Sequence, residues 1–117
     1  MSDCIFCKIV AGEIPARKIY EDEEFLAFHD VNPLAAVHFL IIPKRHIASL
    51  AHFVPEDESL LGRMMLLVPR LAAEQGLQDG FKTLFNTGKQ GGQTVFHTHV
   101  HVIGGQGMPS AALPLTH

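Results

Sequence analysis

Several things are scarce in this chain. Cysteine occurs twice in 117 residues, as Cys4 and Cys7, so no disulfide framework holds the fold. At Cys-x-x-Cys spacing in a reducing compartment, the pair reads as a metal or redox site. Basic residues number nine, are not clustered, and leave a net charge of −3. That excludes a groove for a nucleic-acid backbone, which needs a basic stripe. No apolar run approaches transmembrane length, and Met-Ser-Asp-Cys shows neither a basic region nor a long apolar stretch. The expectation is a cytoplasmic protein with no membrane or nucleic-acid partner. Its length predicts one domain, 1–117. A hydrophobic content of 47% and a mean hydropathy of +0.18 are high for so small a monomer and predict a subunit partner.

Histidine, by contrast, is plentiful and patterned. In Phe96-His97-Thr98-His99-Val100-His101-Val102-Ile103 three histidines alternate with Thr and Val. The stretch is β-prone, and on a strand His97, His99 and His101 share one face. Such a row is a polar liability unless it binds metal, binds an anion or does chemistry. Before it comes Gly88-Lys89-Gln90-Gly91-Gly92-Gln93-Thr94, a glycine-rich turn ending in a hydroxyl. Glycines let backbone N–H groups converge on an anion. Turn, hydroxyl and imidazoles together suit a phosphate.

These residues resemble the histidine-triad nucleotide-binding proteins, most of all their nucleoside phosphoramidate hydrolase branch. The likeness covers nearly the whole chain. It includes Ile5-Phe6-Cys7-Lys8-Ile9, Gly12-Glu13-Ile14-Pro15, Ala27-Phe28-His29-Asp30, His38-Phe39-Leu40-Ile41-Ile42-Pro43-Lys44 and Gly91-Gly92-Gln93-Thr94-Val95-Phe96. The resemblance implies a purine nucleotide pocket walled by Ile5, Phe6, Ile9, Phe28 and His29, with Asp30 on the ribose hydroxyls. Gly92 and Val95 would lie near the phosphate, while Asn86, read from its place at the end of a strand, either touches the phosphate or leaving group or is a turn residue. It also implies His99 as nucleophile, forming a nucleotidyl-histidine intermediate, with His38 supporting the triad. The implied reaction is hydrolysis of purine nucleoside 5′-phosphoramidates to nucleoside monophosphate and amine, with no cofactor for catalysis. Dinucleoside polyphosphate hydrolysis, and nucleotide-binding regulation with incidental turnover, are the alternatives.

Read in order, Cys4–Val10 predicts a short helix with Ile5, Phe6 and Ile9 on its apolar face. Residues 17–21 and 24–28 predict a hairpin, its turn the acidic run Glu21-Asp22-Glu23-Glu24. Asp30, from its position alone, is a turn-capping residue before Asn32-Pro33. Val37–Ile42 predicts a central strand covered on both faces. Lys44 and Arg45, which follow it, are either solvated or attract an anionic substrate. Residues 55–75 predict the long helix, stopped by Gly76 and kinked at Pro69. Its stripe Leu60, Met64, Leu67, Leu71 predicts core or subunit interface. Residues 81–86 predict a strand paired with the histidine strand through the glycine-rich turn. The tail, 106–117, shows no clear structure, and the resemblance gives it the leaving-group side of the substrate. The fold class expected is α+β, an antiparallel sheet of about five strands with one long and one short helix. The resemblance adds two protomers forming a continuous sheet as a homodimer.

Three imidazoles could hold a catalytic metal, but a line of them on a flat strand suits tetrahedral coordination poorly. A neutral imidazole attacking phosphorus fits better. His101 would then donate to a non-bridging oxygen, Thr94 would bond a phosphate oxygen or the leaving group, and backbone N–H groups of 92–95 would stabilise charge. Cys4, Cys7, His46 and His97 together have the ligand types of a structural zinc site.

Overall fold

The computed structural model describes residues 3–107 and 117, and nothing is stated of the structure of the others. The chain is α+β. Helix α1 (Ile5–Val10) precedes strands β1 (Lys18–Glu21), β2 (Phe25–His29) and β3 (Val37–Pro43). Helix α2 (Glu58–Glu74) follows, then β4 (Lys82–Leu84) and β5 (Val100–Gly104). The five strands form one sheet in the order β1-β2-β3-β5-β4, and every neighbouring pair is antiparallel.

Alternation along the strands decides the layers. Ala27, Phe39, Ile41, Val100 and Val102 face α2 and pack on Met64, Leu67, Val68 and Leu71. Leu26, Phe28, Leu40 and Ile42 face the other way and pack on Phe6 and Ile9 of α1. The apolar run of β3, interrupted only by His38, is therefore that of a strand buried on both faces, as expected. Each large aliphatic or aromatic side chain so buried contributes roughly 1.5–3 kcal/mol. The α2 stripe is core in this chain, which leaves Leu66, 73% exposed, as the outward leucine.

Asp57 prepares the start of α2, since its Oδ2 accepts the Val54 N–H at 3.0 Å. Gly76, at φ +83°, ends it and allows the Leu77 N–H to return to the Ala72 carbonyl at 2.9 Å. The helix runs unbroken through Pro69. That proline lies on the exposed face, where water can take up the carbonyl its missing N–H leaves over. Among the described residues no helix is long and apolar enough to cross a membrane.

Candidate functional site

The histidine row departs from the sequence expectation. The ladder of β5 begins only at Val100, so His97 and His99 lie before the strand and not on one flat face with His101. The cause is long-range. In the β3–β5 register Ile41 faces Val100, so continuing the ladder would set Thr98 against Pro43, which has no N–H to give. The chain turns to the segment after β3 instead. Thr98 donates both its N–H and its hydroxyl to the Ile47 carbonyl, each at 2.7 Å. The rings still converge: His99 and His101 have centroids 5.1 Å apart, and Phe6 sets its edge against His99 at 5.1 Å and 88°.

Hydrogen bonds fix which nitrogen of each ring carries the proton. The Leu34 N–H donates to Nδ1 of His38 at 3.1 Å, so the proton of neutral His38 is on Nε2. That N–H faces Nδ1 of His101 at 3.0 Å, which puts the proton of His101 on its own Nε2, outward. His99 is set the opposite way. Its Nδ1–H donates to the His97 carbonyl at 2.7 Å. Its Nε2 is left with a bare lone pair, buried and without a hydrogen bond. His97 thus orients the next histidine through its backbone.

Burial keeps these rings neutral. It pushes His99 below the ordinary imidazole range, against the His97 carbonyl and the nearby main-chain oxygen of His117, which act the other way. His101 is pushed down to about 3 by burial and then by the imidazoles of His99, His117 and His38. His38 is lowered for the same first reason, with the Asp30 carboxylate opposing.

Asp30 follows β2 and is 5% exposed. Its Oδ1 accepts the Asn32 N–H at 2.8 Å, the turn-capping role read from its position. Its Oδ2 lies 3.2 Å from Nε2 of His38 and 2.8 Å from Nε2 of His117, without well-formed hydrogen-bond geometry to either. Burial raises its carboxyl, but His117 and the Asn32 N–H outweigh that and hold it below the usual carboxylate range.

The residues expected around a nucleotide divide between two clefts. Ile9, Phe28, His29 and Asp30 line one of about 500 Å3, with Arg17 and Val31 at its wall. Ile5, Thr94 and Val95 line another of about 430 Å3, together with His46 and Phe96. Phe6 is buried and lines neither, packing at a steep angle to Phe28 at 5.5 Å as well as to His99. Lys44 and Arg45 lie in neither; they pair with Glu21 and Asp57.

The glycine-rich turn differs from expectation in its donors. The N–H of Gly92 goes to the Lys89 carbonyl and that of Gln93 to the Gly88 carbonyl, at 3.1 and 3.0 Å. Those two donors hold the turn and cannot also stabilise charge on a ligand. Gly92 has φ +90°, a left-handed conformation that favours glycine, and it lies beside the Asn86 amide. Gln93 was not singled out by the sequence, yet it anchors the turn. It is 3% exposed, donates Nε2 to the carbonyls of Ala48 and Val95, and accepts the Gly88 N–H on Oε1. A long amide set among glycines was the available signal.

His117 is the second residue missed. The tail, expected on the leaving-group side, falls mostly on residues 108–116, outside the described residues. His117 itself is described, and its main-chain oxygen accepts from Nδ2 of Asn86 at 2.8 Å and from Nε2 of His101 at 3.1 Å.

Cys4, Cys7, His46 and His97 converge, with one ligand atom of each within 4.8 Å of all the others. Nδ1 of His97 lies 3.2 Å from Sγ of Cys4, 3.5 Å from Sγ of Cys7 and 3.2 Å from Nδ1 of His46. Cys7 Sγ lies 3.3 Å from Nδ1 of His46. Tetrahedral zinc with bonds of 2.0–2.3 Å sets ligand atoms roughly 3.3–3.8 Å apart, so the spacing fits. The donor chemistry fits too. Nε2–H of His97 donates to the Pro43 carbonyl at 2.7 Å, which leaves Nδ1 as the lone-pair nitrogen. Burial and then the Cys4 sulfur push the Cys7 thiol up to about 11, so a cation is what would bring that sulfur to thiolate. His99, His101 and His117 form another close group, as do Asp30, His38 and His101.

A family profile described as "Scavenger mRNA decapping enzyme C-term binding" matches residues 3–112. Protein HitA of Neisseria gonorrhoeae is 61% identical over 104 residues, covering 89% of this chain and 97% of that one. A HIT family hydrolase from Legionella pneumophila superposes with a TM-score of 0.88 at 43% identity, over 92% of this chain and 97% of the other. A histidine triad nucleotide-binding protein from Candida albicans superposes at 0.78 with 36% identity, over 95% and 86%.

Proposed function

Since the chain belongs to the histidine-triad family, we propose that it is a nucleotide hydrolase, acting on nucleoside 5′-phosphoramidates through a nucleotidyl-histidine. The observation that carries this reading is the state of His99: neutral, tied down at Nδ1 by the His97 carbonyl, with a buried lone pair on Nε2. A nucleophilic imidazole needs that tautomer and that orientation. The HIT family hydrolase from Legionella and the nucleotide-binding protein from Candida support the substrate class.

In the proposed reaction Nε2 of His99 forms a bond to phosphorus while the P–N bond breaks and its electron pair leaves with the amine, whose nitrogen has taken a proton from solvent water. Nε2–H of His101 and Nδ2 of Asn86 donate to a non-bridging oxygen; they already share one acceptor, the His117 main-chain oxygen. His38 holds His101 in the donating tautomer. Asp30 receives the ribose hydroxyls, and the apolar cleft beside it receives the base. The Thr94 hydroxyl serves the leaving group. Water then attacks phosphorus and frees His99. A structural zinc held by Cys4, Cys7, His46 and His97 would have all four positions filled by protein and supply rigidity, not chemistry.

Adenosine 5′-phosphoramidate tests the proposal. Release of adenosine 5′-monophosphate, with the nucleotide trapped on His99 in rapid-quench samples, is the expected result. Binding of the monophosphate with no turnover would make the protein a nucleotide-binding regulator instead.

A further inference from the structure

One residue touches three parts of the site at once. The main-chain oxygen of His117 takes the two donors assigned to the phosphate, Nδ2 of Asn86 at 2.8 Å and Nε2 of His101 at 3.1 Å. Its ring nitrogen Nε2 lies 2.8 Å from Oδ2 of Asp30, the carboxylate oxygen assigned to ribose. Its ring also covers the two catalytic imidazoles, with centroids 5.4 Å from His99 and 5.1 Å from His101.

The polar partners are those a nucleotide would use. Asp30 Oδ2 and His99 Nε2 are both buried without a well-formed hydrogen bond, so each is a group that awaits a partner of another kind. An imidazole near Asp30 and an oxygen between Asn86 and His101 reproduce, roughly, a ribose hydroxyl and a phosphate oxygen. No nucleotide can make those contacts while His117 does.

We propose that His117 is a built-in competitor of the nucleotide, holding Asp30 and the Asn86–His101 oxygen pocket until substrate displaces it. The proposal rests on reading this pocket as the nucleotide site. Its consequence is quantitative. If only a fraction of molecules has His117 out of the pocket, the apparent dissociation constant is the intrinsic one divided by that fraction. Because His117 belongs to the same chain, the competition is independent of protein concentration when it acts within one subunit. It discriminates as well, since a ligand that engages both Asp30 and the oxygen pocket displaces His117 more readily than a phosphate or a nucleoside alone.

The test is calorimetric titration of adenosine 5′-monophosphate into the whole protein, His117→Ala and His117→Phe. His117→Phe keeps a ring but removes the nitrogen facing Asp30. Both variants are expected to bind roughly three- to tenfold more tightly than the parent. In the parent, the 15N resonances of the His117 ring should shift when nucleotide is added. Equal affinity in all three forms overturns the competitor while leaving the nucleotide site in place. Weaker binding by the variants also overturns it, because His117 would then be a contact of the nucleotide. No binding by any form overturns both the competitor and the nucleotide reading beneath it.

Discussion

The carbonyl of His97 accepts the Nδ1–H of His99 at 2.7 Å, while the ring of His97 turns its own Nδ1 toward the sulfur of Cys4 at 3.2 Å. One residue therefore joins the orientation of the proposed nucleophile to the four-residue metal cluster. The strand ladder does not hold this part of the chain, since β5 starts at Val100. What holds it are the bonds to Pro43 and Ile47 and, when bound, a cation at the cysteines.

His99→Ala is expected to lower phosphoramidate turnover by about 10^4 or more while still binding adenosine 5′-monophosphate, because it deletes the attacking atom and leaves Asp30 and the apolar cleft. His99→Asn, whose amide can still reach the His97 carbonyl, guards against an effect of the cavity alone. Rapid-quench kinetics and calorimetry read the two quantities. Turnover within tenfold of the parent would remove His99 from the chemistry.

Asp30→Asn is expected to weaken ribonucleotide binding roughly ten- to a hundredfold, since hydrogen bonds to a charged acceptor are worth about 1.5–3 kcal/mol. Asp30 also faces His117, so the comparison belongs in a His117→Ala background, where the loss of the His117 contact no longer adds to the effect. The discriminating ligand is 2′-deoxyadenosine 5′-monophosphate. If the parent binds it as well as the ribonucleotide, Asp30 does not read the 2′-hydroxyl.

How far the sequence could be read follows from the range of the forces involved. The apolar run of β3, the helical stripe of α2 and the stop at Gly76 are local patterns, and the elements appear where those patterns lie. The four metal-site residues were legible by side-chain type, although β3 and β5 had to be neighbours for them to meet. The start of β5 was not legible, because it depends on Pro43 lying opposite Thr98 across a ladder no local pattern reveals. Nor was the use of the Gly92 and Gln93 N–H groups inside their own turn, which depends on where the buried Gln93 amide anchors. His117 sits 16 residues from His101 and farther from Asp30, so nothing in its neighbours along the chain announced them.

Purified protein is expected to carry about one zinc per chain, lost in Cys4→Ser. Cys4 also caps α1 by accepting the Cys7 N–H on its sulfur, so the metal would pin that helix over the sheet. Chelation should lower the melting temperature, and it should slow turnover through His97 more than it weakens nucleotide binding. Elemental analysis that finds no metal, with melting unchanged by a chelator, would leave Cys4 and Cys7 as ordinary half-buried thiols.

A homodimer is expected from the sheet edge. Strand β4 (Lys82–Leu84) is the outer strand beside β5, and Phe81 next to it is 37% exposed. An open edge invites pairing across a two-fold axis, which would extend the sheet into a second copy. Met64, Leu67 and Leu71 of the helical stripe are buried against the sheet, while Leu60 is only partly buried and is the part of the stripe a second copy would cover. Light scattering should report twice the 12.9 kDa chain mass at micromolar concentration; a monomer there contradicts the expectation.

Stability should fall as pH drops below about 6.5, and the imidazoles give the direction. His101 titrates at about 3 in the folded chain, and His38 is also lowered, both first by burial. In the unfolded chain each returns to the ordinary value near 6.5. Above that pH neither state is protonated and the folded state loses nothing. Below it the unfolded chain binds protons that the folded chain refuses, so each such group tilts the balance toward unfolding by up to about 1.4 kcal/mol per pH unit. For His101 the tilt continues until the pH nears 3, where the folded form accepts its proton too. Asp30, lowered in the folded state, adds loss in the same direction once the pH falls below the ordinary carboxylate value. Urea midpoints measured from pH 7.5 to 4.5 should decline steadily. His101→Gln keeps an amide able to meet His38 and the oxygen pocket but cannot titrate, so its midpoints should decline less steeply than the parent's. Parallel slopes for the two proteins would mean that His101 is not held neutral by the fold.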